Sequence, residues 1–365
     1  MTHTFLTRLF TALSVAALLT LGGCGSGSTY EPLQPHRIVA FGDASSAVTD
    51  LDTGAGTTYG QAAASVRNTS SAETYTTVAS RLAAYYGVVL KPSGAAAGVT
   101  SADHVSYATP NARVANAVTQ INNFLATGYS IQPTDLFIIT VGNLDIYDNA
   151  LAGNDAIPDA TINALTGAVQ SLTNRGARYV LLVSPVNMAR TPWALNLAKF
   201  KSNGTDFDST LTTSAKVQAL SYDAAECGAQ TSTPCKAFQT KLTVKLADLY
   251  PSTVNPNAPK VMLADIQSYF NLVTGTVSTG TADTYLNYGI SNPNTPACTL
   301  AADAMAAAPG VPITGPLSIT GCDSTAANAS WATFAFADYL GLAPRTQVVI
   351  ADYIYGTLMF RAGWR

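Results

Sequence analysis

Short apolar runs alternate with segments of helical periodicity along most of this chain, and that alternation restricts the fold more than any other feature. The runs occupy residues 38–41, 105–108, 136–141, 179–183 and 261–264. They are apolar throughout, which is typical of parallel strands that are covered on both faces. Helices between such strands cover both faces of the sheet. The pattern therefore predicts a three-layer, doubly wound α/β fold with a mainly parallel sheet.

Three of the intervening helices can be placed from the sequence. Residues 75–86 carry apolar side chains at helical spacing before Gly87, and residues 162–172 do so before Gly176. A glycine at that place is a common helix end. The last helix is expected to begin at Pro344, because the first turn of a helix does not need the N–H that proline lacks.

Composition limits the class of protein. The chain has 365 residues, of which 47% are hydrophobic, so it can bury a large core. Residues 37–365 show one composition without repeats and are expected to form a single domain. Charged residues make up only 11%, and a surface covered by Ser, Thr, Asn and Gln fits an exported protein. The net charge is −3 and no cluster of Lys or Arg occurs, which disfavours nucleic acid as a partner.

The first residues have the pattern of an export signal. Arg8 precedes the apolar run at 9–21, which is too short for a comfortable membrane span, so residues 1–23 are expected to be a signal peptide. Leu-Gly-Gly-Cys at 21–24 resembles a bacterial lipobox, which implies lipidation of Cys24. A plain secretory peptide is the alternative. Residues 24–36 then form the lipidated cysteine and a flexible tether, and Gly25, by resemblance to bacterial lipoproteins, indicates the outer membrane, on its periplasmic or surface face.

The remaining cysteines form an even set. Three pairings are possible, of which the most local joins Cys227 to Cys235 and Cys298 to Cys322. Each disulfide would add about 2 to 4 kcal/mol to the free energy of unfolding. A zinc site is the alternative, but the spacing lacks Cys-x-x-Cys and no histidine is near. We expect two disulfides, no metal and no cofactor.

The segment after the first predicted strand has the outline of a nucleophile loop. Gly42 and Asp43 follow the apolar run directly and predict a tight strand-to-helix turn, which can present a reactive side chain at a sheet edge. Ala44 has no reactive group to present. Ser45 and Ser46 follow, and we expect them to cap the next helix through their side-chain oxygens.

Five segments in order resemble the SGNH/GDSL hydrolase family, in particular its bacterial outer-membrane esterase and haemolysin-like phospholipase branch. They are Phe-Gly-Asp at 41–43, Tyr-Ala-Thr-Pro-Asn-Ala-Arg-Val at 107–114, Val-Gly-Asn-Leu-Asp at 141–145, Tyr-Gly-Ile-Ser-Asn at 288–292 and Phe-Ala-Asp-Tyr-Leu-Gly at 336–341. The resemblance covers nearly all of the mature chain and implies a flavodoxin-like α/β sheet.

The resemblance also implies that the catalytic machinery is degenerate. The family uses a serine nucleophile, a histidine base, a carboxylate that orients the histidine, and oxyanion donors from a glycine N–H and an asparagine side chain. At those positions this chain has other residues, namely Ala44 for the serine, Asn111 after Pro110 for the glycine, Leu144 for the asparagine and Gly341 for the histidine. The polar residues retained in these segments are Asp43, Asn143, Asp145 and Asp338.

The histidine count supports the loss of the base. The chain has three histidines, and His3 leaves with the signal peptide. His36 and His104 stand at the beginnings of predicted strands, whereas active sites of open α/β sheets lie outside the carboxyl ends. A five-residue strand separates the two ends by about 16 Å. Neither histidine can therefore be the triad base.

The sequence thus favours a lipid-anchored envelope protein with an inactive hydrolase fold, acting as a binding or accessory component. Its partners would be the membrane through Cys24, a lipid, acyl or glycan ligand, or an active paralogue. One alternative is an active carboxylic-ester hydrolase that uses Ser45 or Ser46. Another is a structural envelope lipoprotein whose former cleft is filled by side chains. A glycosidase-like pair drawn from Asp43, Asp145 and Asp338 is a further alternative.

Overall fold

The structure of the chain is a computed structural model that describes residues 32–52, 57–62, 77–93, 104–195, 214–222, 227, 234–251, 257–275, 284–297 and 331–365. The predicted signal peptide and Cys24, Cys298 and Cys322 lie outside these ranges. Among the described helices, none is long and apolar enough to cross a membrane.

The described part of the chain contains a six-stranded parallel sheet, which confirms the predicted α/β class. The described strands, in this sheet and outside it, are β1 (Ile38–Gly42), β2 (Val48–Asp52), β3 (Thr57–Ala62), β4 (Lys91–Pro92), β5 (Val105–Ser106), β6 (Leu136–Thr140), β7 (Tyr179–Val183), β8 (Lys260–Ala264), β9 (Asn292–Pro296) and β10 (Phe334–Phe336). Six of them form the parallel sheet, in the order β4-β5-β1-β6-β7-β8. Strands β2 and β3 form an antiparallel hairpin, and β9 pairs in parallel with β10.

The four strands β1, β6, β7 and β8 pair without a shift of register. Their first residues, Ile38, Leu136, Tyr179 and Lys260, lie side by side, and so do their last residues. We call the edge of the sheet at the first residues the amino edge, and the opposite edge the carboxyl edge. Loops that leave these strands at the carboxyl edge are thereby brought close together.

Helices flank the sheet on both faces. They are α1 (Val78–Tyr85), α2 (Val114–Ala126), α3 (Asn143–Leu151), α4 (Asp159–Asn174), α5 (Pro192–Leu195), α6 (Ser214–Ser221), α7 (Phe238–Leu249), α8 (Gln267–Val273) and α9 (Pro344–Tyr353), and a π-helical turn (Ile354–Met359) continues α9. Helix α2 packs on α4 and α4 on α7, while α1 packs on α9. Together with the sheet, these helices give the predicted three-layer arrangement.

The core is built on the apolar strands. Every residue of β1 and β6 is buried. The rings of Phe41, Phe124 and Phe137 join β1 and β6 to α2, with centroids 5.7 to 5.8 Å apart between Phe124 and the other two. Fully burying such aromatic side chains stabilises a fold by about 1.5 to 3 kcal/mol each.

The structure corrects the predicted turn after β1. The chain continues into the hairpin β2–β3 and not into a helix, so the side chains of Ser45 and Ser46 cap no helix there, although the Ser45 carbonyl accepts from the N–H of Ala79 in α1 at 3.1 Å. Helix α1 is capped instead by Thr77, whose Oγ1 accepts a hydrogen bond from the backbone N–H of Ser80 at 3.1 Å. The predicted strand at 105–108 is also shorter, because pairing ends at Ser106. The last helix begins at Pro344, as predicted.

The two histidines among the described residues, His36 and His104, lie at the amino edge, as predicted. His104 accepts a hydrogen bond at Nδ1 from the N–H of Ile38 at 3.0 Å. His36 Nδ1 lies 3.0 Å from Asp135 Oδ1, and the buried Arg37 pairs with the same carboxylate at 2.8 Å. The two imidazoles hold the start of β1 and are far from the carboxyl edge.

One predicted disulfide is present in the described residues. Cys227 is bonded to Cys235, which closes a short loop before α7. The pairing of Cys298 with Cys322 lies outside the described residues and stays a prediction.

Gly42 ends β1 in a backbone conformation that requires glycine. Its φ is +113°, and a Cβ there would lie 1.7 Å from the carbonyl oxygen of Thr140 on β6. We expect Gly42→Ala to lower the free energy of unfolding by about 4 kcal/mol or more, or to prevent folding.

Gly87→Ala is the matched control, because Gly87 also has a positive φ of +72° but no heavy atom within 4 Å of the place that a methyl group would occupy. It should cost only about 1 kcal/mol. Urea denaturation of both purified variants makes the comparison, and equal losses would contradict the role of the Thr140 contact.

Candidate functional site

Loops from several strands meet in a small recess at the carboxyl edge. Its volume is about 40 Å³. We refer to it as the recess, and its lining consists of Asp43, Ala44, Ser45, Pro110, Asn143, Leu144, Met188, Asp338, Leu340, Gly341, Leu342 and Gln347. Most of the residues that the sequence singled out are therefore in one place, although they are far apart along the chain.

Asp43 fixes the turn that leaves β1. Its N–H donates to the carbonyl of Thr140 at 2.7 Å. Its carboxylate accepts from the N–H of Ser45 at 3.0 Å and from Nδ2 of Asn143 at 3.4 Å. Burial raises the pKa of Asp43 to about 6, even though these hydrogen bonds favour the charged form. The carboxyl therefore holds the loops and carries a proton more readily than an exposed aspartate.

Ala44 stands where the family resemblance predicts the nucleophile, and the two serines beside it differ in their surroundings. Ser46 is completely buried, its Oγ accepts from Thr140 Oγ1 at 2.8 Å, and it cannot meet a substrate. Ser45 lines the recess and is 9% exposed. Within the described residues, the Ser45 hydroxyl has no hydrogen-bond partner, so no base activates it.

Gly341 stands where the family resemblance predicts the histidine base. Asp338 Oδ1 instead accepts from the N–H of Leu340 at 2.8 Å and from the N–H of Gly341. A Cβ at position 341 would lie 3.0 and 3.2 Å from the two carboxylate oxygens of Asp338. The carboxyl that would orient an imidazole has thus turned to the backbone of its own loop. Burial raises the pKa of Asp338 as well.

The expected oxyanion donors are also replaced. Pro110 lines the recess and has no N–H to donate. The half-buried Asn111 lies outside the recess lining, and its carbonyl accepts from Arg113 at 3.1 Å. Leu144 brings an apolar side chain into the recess. Asn143 lies beside it, but its Oδ1 accepts from the N–H of Val186 at 3.0 Å, so its amide joins two loops.

Asp145 does not join the other carboxylates. Its oxygens accept from the N–H of Val114 at 3.1 and 3.3 Å and so hold the start of α2. Burial raises its pKa to about 6. Asp43 and Asp338 line the recess and Asp145 does not.

Gln347 is a recess residue that the sequence did not indicate. It lies on α9, is 1% exposed, and its Oε1 accepts from the N–H of Val78 at 3.1 Å. No described residue accepts a hydrogen bond from its Nε2, which is an amide donor at the wall of the recess. Nothing in the periodicity of α9 distinguishes this glutamine from an ordinary polar residue of a helix.

Loops that leave parallel strands thus meet around a Gly-Asp turn, with Ala44 and Gly341 in the same recess. The sequence profile described as GDSL-like lipase/acylhydrolase matches residues 38–353. The chain therefore belongs to this family. No curated protein matches the chain. In the described ranges, no group of three or more His, Cys, Asp or Glu residues could hold a metal ion.

The raised pKa of Asp43 has a consequence for stability. Because its pKa is about 6 in the folded chain and 3.8 otherwise, the folded state binds more protons between these values, and stability falls as pH rises from 4 to 6. Over this pH range, the fall in the free energy of unfolding that is due to Asp43 is about 3 kcal/mol. We expect Asp43→Asn to remove that part of the decline.

Urea denaturation at several pH values between 4 and 7 measures the decline for both proteins. Asp155→Asn is the control, since Asp155 is exposed and Lys216 lowers its pKa, so its contribution has the opposite sign. If stability declined equally in Asp43→Asn and in the unchanged chain, burial would not raise the pKa of Asp43.

Proposed function

We propose that this chain is a lipid-anchored protein of the bacterial cell envelope, at the outer membrane, that keeps the GDSL-hydrolase fold without its reaction and acts as a binding or accessory protein. The observation that supports this most strongly is the pair of replacements in the recess. Ala44 and Gly341 remove the nucleophile and the base, and the carboxyl of Asp338 binds backbone N–H groups in their absence.

The absence of both the nucleophile and the base argues against ester hydrolysis more strongly than the absence of either one. A serine hydroxyl is a weak nucleophile at neutral pH unless a neighbouring base takes its proton. Ser45 has the only recess hydroxyl among the described residues, and no histidine of the described ranges lies at this edge. The carboxyls of Asp43 and Asp338 accept hydrogen bonds from N–H groups of their own loops, and neither forms a hydrogen bond with the Ser45 hydroxyl.

The polar lining of the recess supports binding. Gln347 lines the recess, its Oε1 is taken by Val78, and no described residue accepts from its Nε2, so this amide can donate to a ligand there. The Ser45 hydroxyl belongs to the same lining. Leu144, Leu340 and Leu342 give the remaining wall an apolar character. The recess thus fits a small neutral group of an acyl chain or a glycan.

Two alternatives rest on specific observations. The unbonded hydroxyl of Ser45 favours an active ester hydrolase with an unusual base, while Ser46 is too deeply buried for that role. The small volume of the recess and the presence of Leu144 favour a structural lipoprotein without a ligand. The anchor itself is supported by the lipobox resemblance at Cys24. An accessory role beside an active paralogue is consistent with the lost triad.

The inactive state can be tested with short-chain and long-chain acyl esters. We expect the purified protein and its Ser45→Ala variant to hydrolyse them equally, at the background rate. Ala44→Ser/Gly341→His should exceed each single variant by about 10²-fold, because nucleophile and base act as a unit. Turnover by the natural chain that disappears in Ser45→Ala would establish the ester hydrolase instead.

Binding in the recess can be tested through Gln347. With N-acetylglucosamine as the glycan probe and octanoate as the acyl probe, we expect calorimetry to detect one of them. Gln347→Glu keeps the acceptor for Val78 but loses the amide donor, and should weaken binding about fivefold. Gln132→Glu, which changes the charge equally at the amino edge, should not. Failure of both probes to bind would favour the structural lipoprotein.

A further inference from the structure

The fold gathers basic side chains that are scattered in the sequence. Arg175 and Arg178 stand between α4 and β7, and Lys260 begins β8. Arg361 and Arg365 follow the π-helical turn after α9. We call these five residues, together with Phe360, the amino-edge patch.

Direct contacts show that these segments lie together. The ring of Tyr179, the first residue of β7, has the ring of Trp364 at 5.2 Å and the Nζ of Lys260 at 5.2 Å. The N–H of Lys260 donates to the carbonyl of Arg178 at 2.6 Å. Trp364 is adjacent to Arg365, so the last residues of the chain pack against the start of two central strands.

The patch is exposed and rich in uncompensated positive charge. Phe360 is 61% exposed, and the guanidinium of Arg365 lies 5.4 Å from its ring centroid. None of the five cations has a carboxylate of the described residues within ion-pair distance. The carboxylate of Asp352 on α9 is bound by Arg81 at 3.0 Å. Asp248, on the helix before β8, lines a groove together with two lysines.

The start of the folded domain lies at the same edge. Residue 37 leads into β1, and β7 is the second strand from β1. At about 4.8 Å between strands, the end of the tether is about 10 Å from Tyr179. The recess is at the other edge, about 16 Å away along β1.

We propose that the amino-edge patch docks on an anionic phospholipid surface. Clustered Lys and Arg side chains attract anionic headgroups, and an exposed aromatic ring among them inserts at the interface. The proposal uses the anchored location given under the proposed function, since a lipid on Cys24 would hold this edge near the bilayer. Docking would then direct the recess away from the membrane, toward ligands in solution or on another molecule.

Vesicle binding by the chain from residue 25 onward tests docking without the acyl group. We expect it to co-sediment with vesicles of phosphatidylcholine containing about one-third phosphatidylglycerol, and not with phosphatidylcholine alone. Raising the salt from about 0.1 M to about 0.5 M should release it. Arg361→Gln/Arg365→Gln should weaken binding by about 25-fold, because each cation near the surface contributes about fivefold. Phe360→Ser should weaken binding at about 0.1 M salt, because it removes the exposed ring without changing the charge.

Arg190→Gln/Lys245→Gln is the matched control, because it removes two cations elsewhere and leaves the same net charge. Equal weakening in the control, absence of binding to the anionic vesicles, or binding to a soluble polyanion but not to vesicles would each overturn the proposal. Acylation of Cys24 is measured separately, from the mass of the N-terminal peptide. If Cys24 were not acylated and the protein still bound the anionic vesicles, the proposed lipid anchor would be wrong and the docking surface would be supported.

Discussion

The carboxyl edge depends on the close approach of two backbones, at Gly42 on β1 and Thr140 on β6. A residue with a side chain cannot occupy position 42, because its Cβ would lie 1.7 Å from the Thr140 carbonyl oxygen. This approach lets the N–H of Asp43 reach the same oxygen and turns the chain sharply out of the sheet. Gln120 secures the turn from α2 through hydrogen bonds to both backbone groups of Gly42. These contacts fix the turn that places Asp43 in the wall of the recess.

Residues with strong local patterns make the fold predictable. The apolar runs of β1, β6 and β7 are largely buried and that of β8, at the side of the sheet, is half-buried, so their composition identifies them, and Pro344 marks the start of α9. The hairpin β2–β3 is not predictable in this way, because a Gly-Asp turn is compatible with either a helix or a strand beyond it. Tertiary contacts decide between the two, such as the buried hydrogen bond between Ser46 and Thr140, which no local pattern encodes.

The site is predictable only where family motifs fix its members. Asp43, Ala44, Asn143, Leu144, Asp338 and Gly341 all line the recess, as the order of the five segments implies. Asp145 and Gln347 depart from that expectation because their positions depend on helix packing. The carboxylate of Asp145 accepts hydrogen bonds at the start of α2, and α9 brings the amide of Gln347 to the recess. The basic patch is invisible in the sequence for the same reason, since its residues are distant along the chain.

Asp338 has a structural role in its own loop, because its carboxyl accepts hydrogen bonds from the N–H groups of Leu340 and Gly341. A buried carboxyl without partners would be costly, and replacing it would leave the N–H groups of Leu340 and Gly341 without an acceptor. Once the histidine is absent, the aspartate therefore stabilises the turn that closes the recess. The glycine at 341 suits this arrangement, because any Cβ there would press on the carboxylate. The hydrogen bonds of Asp338 and the glycine at 341 thus form one stable loop that needs no histidine.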